Sequence, residues 1–334
     1  MPIVSVGDMS QQFISMRNGG AIKTELSRLA ESLSSGRVDD VTKVLGGDTS
    51  RLSGINYSLT QLDGYIEAAK ETSQTLTRMQ EVLARVDTLR SEASTEFLLI
   101  NDESTQTQID NSARAGARNF DVLVTTLNTQ VADRALLGGA AVTGPPLAAA
   151  DVMLADLRTA IGGATDFAAI DTAITAWFDD PAGGFATIAY LGDTGNVVEK
   201  RISDTKTVPI EARADNAAIR ETLKGAAYAA LADNLPGLDR QTKSALLQQA
   251  GTGLFAAADG LVSVQSQIGS VEAEVEQSLT EMNAQTSALQ IAKNDIVQAD
   301  PFETASRLQS VQLQLETHYS VTARLSDLSL LRYI

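Results

Sequence analysis

The chain has no cysteine, a single histidine, a single tryptophan and seven prolines in 334 residues. Without cysteine there are no disulfides, no thiolate metal sites and no cysteine nucleophile. Any Ser–His–Asp triad would have to use His318, which lies beside Tyr319 in an apolar helical stripe and reads as packing. Aromatic residues make up 4% of the chain, thin for one large globular core but enough for helices packed through Leu, Val, Ile and Ala. The net charge of −16 argues against nonspecific binding to nucleic acid or anionic membranes. No apolar run approaches the roughly 18 residues that a membrane-spanning helix needs. Gly251-Thr252-Gly253 follows a helical run rather than a strand, so it is not half of a nucleotide-binding loop. Asp39-Asp40 and Asp179-Asp180 read as turn and cap residues. No catalytic, cofactor-binding or metal-binding residue emerges, no cofactor is called for, and the expected class is not an enzyme.

What the chain does have is helical periodicity. Asp8 can cap a helix that carries Ile22, Leu26, Leu29 and Leu33 and stops at Ser34-Ser35-Gly36. From about Thr49 to Phe97 a long helix keeps Leu52, Ile55, Leu59, Leu62 and Ile66 in strict alternation of three and four. A second amphipathic helix follows, from Ile109 to Val131. Beyond Gly144-Pro145-Pro146 the pattern changes to two short helices, a strand from Phe185 to Leu191, its partner from Val197 to Ile202, an edge strand at Val208–Glu211 and an alanine-rich helix, Asp215 to Asp233. Heptads return with Leu254, Leu261, Val264, Ile268 and Val271, which are expected to pack against Leu52 to Leu76. Asp300-Pro301 then opens a last helix striped by Leu308, Val311, Leu315, Tyr319, Leu325, Leu328 and Leu331, with further apolar residues off that stripe. A terminal helix that is apolar on several sides is expected to be buried in an assembly.

The expected fold is mainly α: an elongated coiled-coil helical rod formed by both terminal regions, with a small α+β domain inserted in the middle. The expected division is 1–45 with 298–334 as a terminal assembly domain, 46–140 with 241–297 as the long-helix rod, and 141–240 as the insert. The assembly contact is assigned to Leu26, Leu29 and Leu33 against Leu308, Val311, Leu315 and Leu325. The first residues, MPIVSVGDMSQQF, lack a basic segment followed by an apolar one, so a Sec signal peptide is not expected.

Leu26-Ser27-Arg28-Leu29-Ala30-Glu31-Ser32-Leu33-Ser34-Ser35-Gly36-Arg37 resembles the N-terminal signature of bacterial flagellins, and Asp39-Asp40 matches the acidic pair after it. The closing Ala323-Arg324-Leu325-Ser326-Asp327-Leu328-Ser329-Leu330-Leu331-Arg332-Tyr333-Ile334 is similar to that family's C-terminal signature. Ser35, Gly36, Arg37 and Arg324 are therefore family-motif positions. Asn128 to Pro146 and Asp300 to Ala305 resemble the hook-associated protein 3 group within the family, though Leu136-Leu137 stands where an aromatic residue is common. The resemblance implies an extracellular flagellar protein, exported without a Sec signal peptide, that joins hook to filament by self-assembly of its terminal helices into a ring or tube. The partners it implies are hook-associated protein 1, flagellin, the flagellar type III export apparatus and an export chaperone, with no nucleic acid or membrane. The alternatives are a filament flagellin subunit and, from another class, a cytoplasmic coiled-coil scaffold.

Overall fold

The structure is a computed structural model describing residues 6–141, 143–195 and 197–330. Its fold is mainly α, with two small two-stranded antiparallel sheets. The chain forms two compact units: Met1–Leu62 with Ala284–Ile334, and Asp63–Asn283.

In the first unit, helix α1 (Val6–Ser35) ends at Gly36, whose φ of 67° lies in the left-handed region where a side chain would be strained. The Ser32 hydroxyl donates to the Arg37 carbonyl at 2.7 Å, closing the turn. Asp40 accepts from the Lys43 amide and caps the short α2 (Val41–Val44). The connectors on the two sides of the unit are zipped together. Val38 N–H donates to Val297 O at 2.9 Å and Ala299 N–H to Gly36 O at 3.0 Å, with Arg37 opposite Gln298. Just beyond, Asp300 accepts from the amides of Phe302 and Glu303, and α10 (Pro301–Leu330) begins with proline in its first turn, as the sequence suggests.

The second unit is built on the later part of α3 (Ser50–Leu98), with α4 (Gln106–Leu127), α7 (Ala217–Asn234), α8 (Arg240–Ala256) and the first part of α9 (Ala258–Val297). Thr105 and Gln108 form a reciprocal capping box at the start of α4. The alanine-rich α7 packs mainly on α4 and α8. At the α4 crossing a Cβ on Gly116 would stand 2.5 Å from the Ala229 methyl, so only glycine permits that approach. Two shorter helices, α5 (Ala150–Ile161) and α6 (Phe167–Asp179), add a cluster of Trp177, Phe178 and Phe185 rings.

Three local expectations give way. α4 stops at Leu127, not Val131, because the Asn128 side chain is engaged twice with the backbone of Leu147, accepting from its amide and donating to its carbonyl. A tight hairpin follows, β1 (Gln130–Val131) with β2 (Arg134–Ala135), and Ala132 and Asp133 take positive φ at its turn. Phe185–Ala189 is a π-helical turn rather than a strand: the Tyr190 amide reaches back to Phe185 O, and only Phe185 and Ala189 within the turn are buried. The hairpin is instead β3 (Val198–Arg201) with β4 (Thr207–Ile210). It turns its alternate residues Val208 and Ile210 inward, while its tip meets α3 through Tyr65–Asp204 and α9 through Lys206–Glu274.

The third difference is register. Gln80 donates to Gln265 O at 2.7 Å, Arg90 to Leu254 O at 2.9 Å and Ser94 to Gly251 O at 2.9 Å. Residues 251–265 therefore lie against 80–94; of the expected partners Leu52 to Leu76, Leu76 lies with Val264, Ile268 and Val271. Heptad stripes repeat, so many registers bury them equally well; the polar contacts select one. The Arg90 contact also explains a break that the sequence pattern runs through. In a continuous helix Leu254 O would accept from the amide of residue 258, and here the buried guanidinium takes that carbonyl where α8 ends.

Candidate assembly surface

α1 and α10 pack on one another. Around residues 15–23 and 318–322 small and polar groups mark their contact. Gly19 is buried because the His318 ring lies over its backbone, and a Cβ there would stand 2.9 Å from His318 Nε2. Ser15 and Thr322 hydroxyls meet at 3.3 Å, and the Lys23 ammonium stands 5.6 Å from the centre of the Tyr319 ring. Continuing this register to the Arg37–Gln298 bridge puts Ile22 level with Leu315, Leu26 with Val311 and Leu29 with Leu308. Leu325 falls level with Gln12, far from Leu26–Leu33.

Burial is shallow throughout the pair. Leu26, Leu29, Leu308, Val311 and Leu315 are half-buried, while Leu33, Tyr319 and Leu325 are exposed. Among the described side chains, α1 buries only Gly19 and Ser32, and α10 only Thr304. Met9, Phe13 and Met16 follow a separate helical stripe on α1 and are 61%, 64% and 65% exposed; Leu313 on α10 is 64% exposed. Of Leu328 only the helical backbone is described, and Leu331 lies outside the described residues.

The family-motif positions have local duties. Ser35 Oγ accepts from the Arg37 amide, Gly36 supplies the left-handed turn, and Arg37 holds the bridge to Gln298. Arg28 pairs with Asp39 at 2.5 Å, bracing the same corner. Arg324 is exposed on α10.

The long-helix positions divide between the units. In the first, Ile55 is buried and Leu52, Leu59 and Leu62 are half-buried; in the second, Ile66, Leu254, Leu261, Val264 and Ile268 are buried and Val271 is half-buried. Among the described residues there is no group of three His, Asp or Glu side chains placed to hold a metal, and no helix long and apolar enough to cross a membrane. Sequence reading missed Gly19 as the seat of His318. Its signal was present, a Gly-Gly pair inside an otherwise strong helix.

Residues 252–334 match the family of the bacterial flagellin C-terminal helical region. No curated protein matches the chain. Among solved structures it is similar to the crystal structure of Bacillus cereus FlgL, at 16% identity over 72% of this chain and 99% of that one, with a TM-score of 0.50. That likeness is one of fold.

Proposed function

We propose that this chain, a flagellin-family protein in its C-terminal region with a FlgL-like fold, is a structural subunit of the bacterial flagellum that joins hook to filament. It leaves the cell through the flagellar type III export apparatus, held beforehand by an export chaperone, and stacks between hook-associated protein 1 and flagellin. Residues 1–45 and 298–334 form the assembly segment, 46–140 and 241–297 the long helices behind it, and 141–240 the insert. Leu26, Leu29, Leu33, Leu308, Val311, Leu315, Tyr319, Leu325, Leu328 and Leu331 make the assembly contact.

The observation that carries this reading is the shallow burial of the α1–α10 pair. Enclosing a Leu or Phe is worth about 1.5–3 kcal/mol, and at Met9, Phe13, Met16, Leu313 and Leu325 this pair leaves much of that unrealised. Ordering a residue costs about 1–2 kcal/mol. Neighbouring copies supply the missing burial when the pair docks among them.

The test is a Leu315→Asp variant expressed in the native cell. It should be exported and should melt like the parent in its main transition, yet leave hooks without filaments and shed flagellin into the medium. Normal motility would refute the assignment of this face. Filaments that are present but weakened would point to a filament subunit instead. Retention of the parent protein inside the cell would favour a cytoplasmic scaffold.

A further inference from the structure

Within the second unit a groove of about 760 Å³ runs along α3 between the two hairpins. Its floor is the polar face of α3 from Glu71 to Glu81. One wall is β3, through Val198 and Lys200; the other is the β1–β2 hairpin, through Val131, Arg134 and Leu136.

The two outer edges of the β3–β4 ribbon differ. The Ile202 amide donates to Lys206 O, which puts 202 and 206 at a hydrogen-bonded position of the ladder. The alternation of an antiparallel ladder then makes Lys200–Val208 and Val198–Ile210 the bonded pairs, while Glu199–Pro209 and Arg201–Thr207 turn their backbone groups outward. On the β4 edge one of those outward positions is Pro209, which has no N–H, and proline is a common guard of an edge. On the β3 edge both outward residues, Glu199 and Arg201, keep their amides. The strand with this unguarded edge lines the groove through Val197, Val198 and Lys200, and Ile210 of β4, paired with Val198, lines it from the same face.

The charge distribution says what would enter. In a chain of net charge −16, the walls beside the open edge carry Arg134 and Lys200, and neither has an ion-pair partner among the described residues. Arg78 on the floor is already paired with Glu81 at 2.8 Å, and Glu71 is also on the floor. The unneutralised cations thus lie on the walls, beside the free strand edge.

We propose that this groove binds an extended acidic segment of a partner protein by adding it as a third strand to β3. Backbone bonds form at Glu199 and Arg201. Because side chains alternate, residues two apart in the incoming strand share the face that looks into the groove. One of them is apolar and rests on Val198 and Leu136. The other is acidic and meets Lys200 and Arg134. The recognised pattern is an apolar and an acidic residue two positions apart in an otherwise β-prone segment.

The probe is a fluorescein-labelled, end-blocked peptide, Thr-Val-Thr-Glu-Thr-Val-Thr, which presents the pattern in either strand direction; its control has Lys for Glu. Anisotropy with the full chain at low salt should show saturable binding of the Glu peptide, at least ten-fold tighter than the Lys peptide. Glu199→Pro removes one outward N–H without touching the bonds to β4 and should weaken binding at least five-fold. Lys200→Glu should abolish the preference for Glu over Lys. Circular dichroism melts matching the parent's make these readings interpretable, and Glu199→Ala, which keeps the amide, should bind like the parent. Equal binding of the two peptides, or an undiminished signal in Glu199→Pro, would overturn the proposal. So would self-association of the chain that Glu199→Pro abolishes and the peptide does not compete with, since the occupant would then be a second copy.

Discussion

Helices α7 and α10 both carry apolar residues along their length and treat solvent in opposite ways. Leu223, Ala226, Ala227, Ala230 and Leu231 of α7 are fully enclosed, whereas α10 buries only Thr304 of its described side chains. The difference lies in the neighbours. α7 is met by α4 on one side and α8 on the other, close enough to require Gly116 at the crossing, so even alanine suffices to fill the space. α10 has α1 on one side. An apolar residue stabilises a fold only when something covers it, and by that measure α7 is covered within its own unit while α1 and α10 leave apolar side chains open.

The contrast can be tested by weakening each side in turn. Phe120→Ala empties a fully buried site on α4 and should cost about 3–5 kcal/mol, read as a drop in the main urea or thermal transition. Unchanged main melting would mean that α4 and α7 are not the centre of that unit. Gly19→Val should act on the terminal pair alone. Its side chain must displace the His318 ring, an overpacking cost of about 1–3 kcal/mol, in a pair with little burial to offset it. Faster hydrogen exchange across α10 with the main transition unmoved is the expected result; slower exchange would mean that helix propensity gained at position 19 outweighs the clash.

The smallest effect is electrostatic. Lys243 bonds Asp110 at 2.9 Å and, with Gln106, holds the Asp110 carboxyl below its ordinary value. Because its folded pKa is depressed, the pair stabilises the fold above the unfolded carboxyl value, and that stabilisation disappears as pH falls through the lower folded one. Both side chains are partly exposed, so Asp110→Asn should cost only about 0.2–1 kcal/mol near neutral pH. Denaturation curves of variant and parent should converge in acid; a gap that persists there would assign the effect to packing.

These expectations also mark where the sequence could be read. The start of α10 was legible because Asp300-Pro301 carries its own cap and its own fixed φ. So was the end of α1, where Gly36 is needed for a left-handed turn. The π-helical turn at Phe185–Ala189 was not, since a short apolar run suits a buried strand equally well until Trp177 and Phe178 fix where Phe185 must go. The seat of His318 was half legible. Gly19 announces a close approach without saying by what.

By itself the sequence determined the elements whose causes are local: the presence of the long helices from periodicity, the end of α1 and the start of α10 from glycine and a cap, and the apolar stripes along both terminal helices. Only the tertiary structure decided register and partners. Gln80, Arg90 and Ser94 chose one alignment of repeating stripes because each satisfies a particular carbonyl, and a repeating apolar pattern cannot encode that choice. The same holds for the uncovered face of α1 and α10. The residues were visible from the start, but their exposure depends on which neighbours are absent.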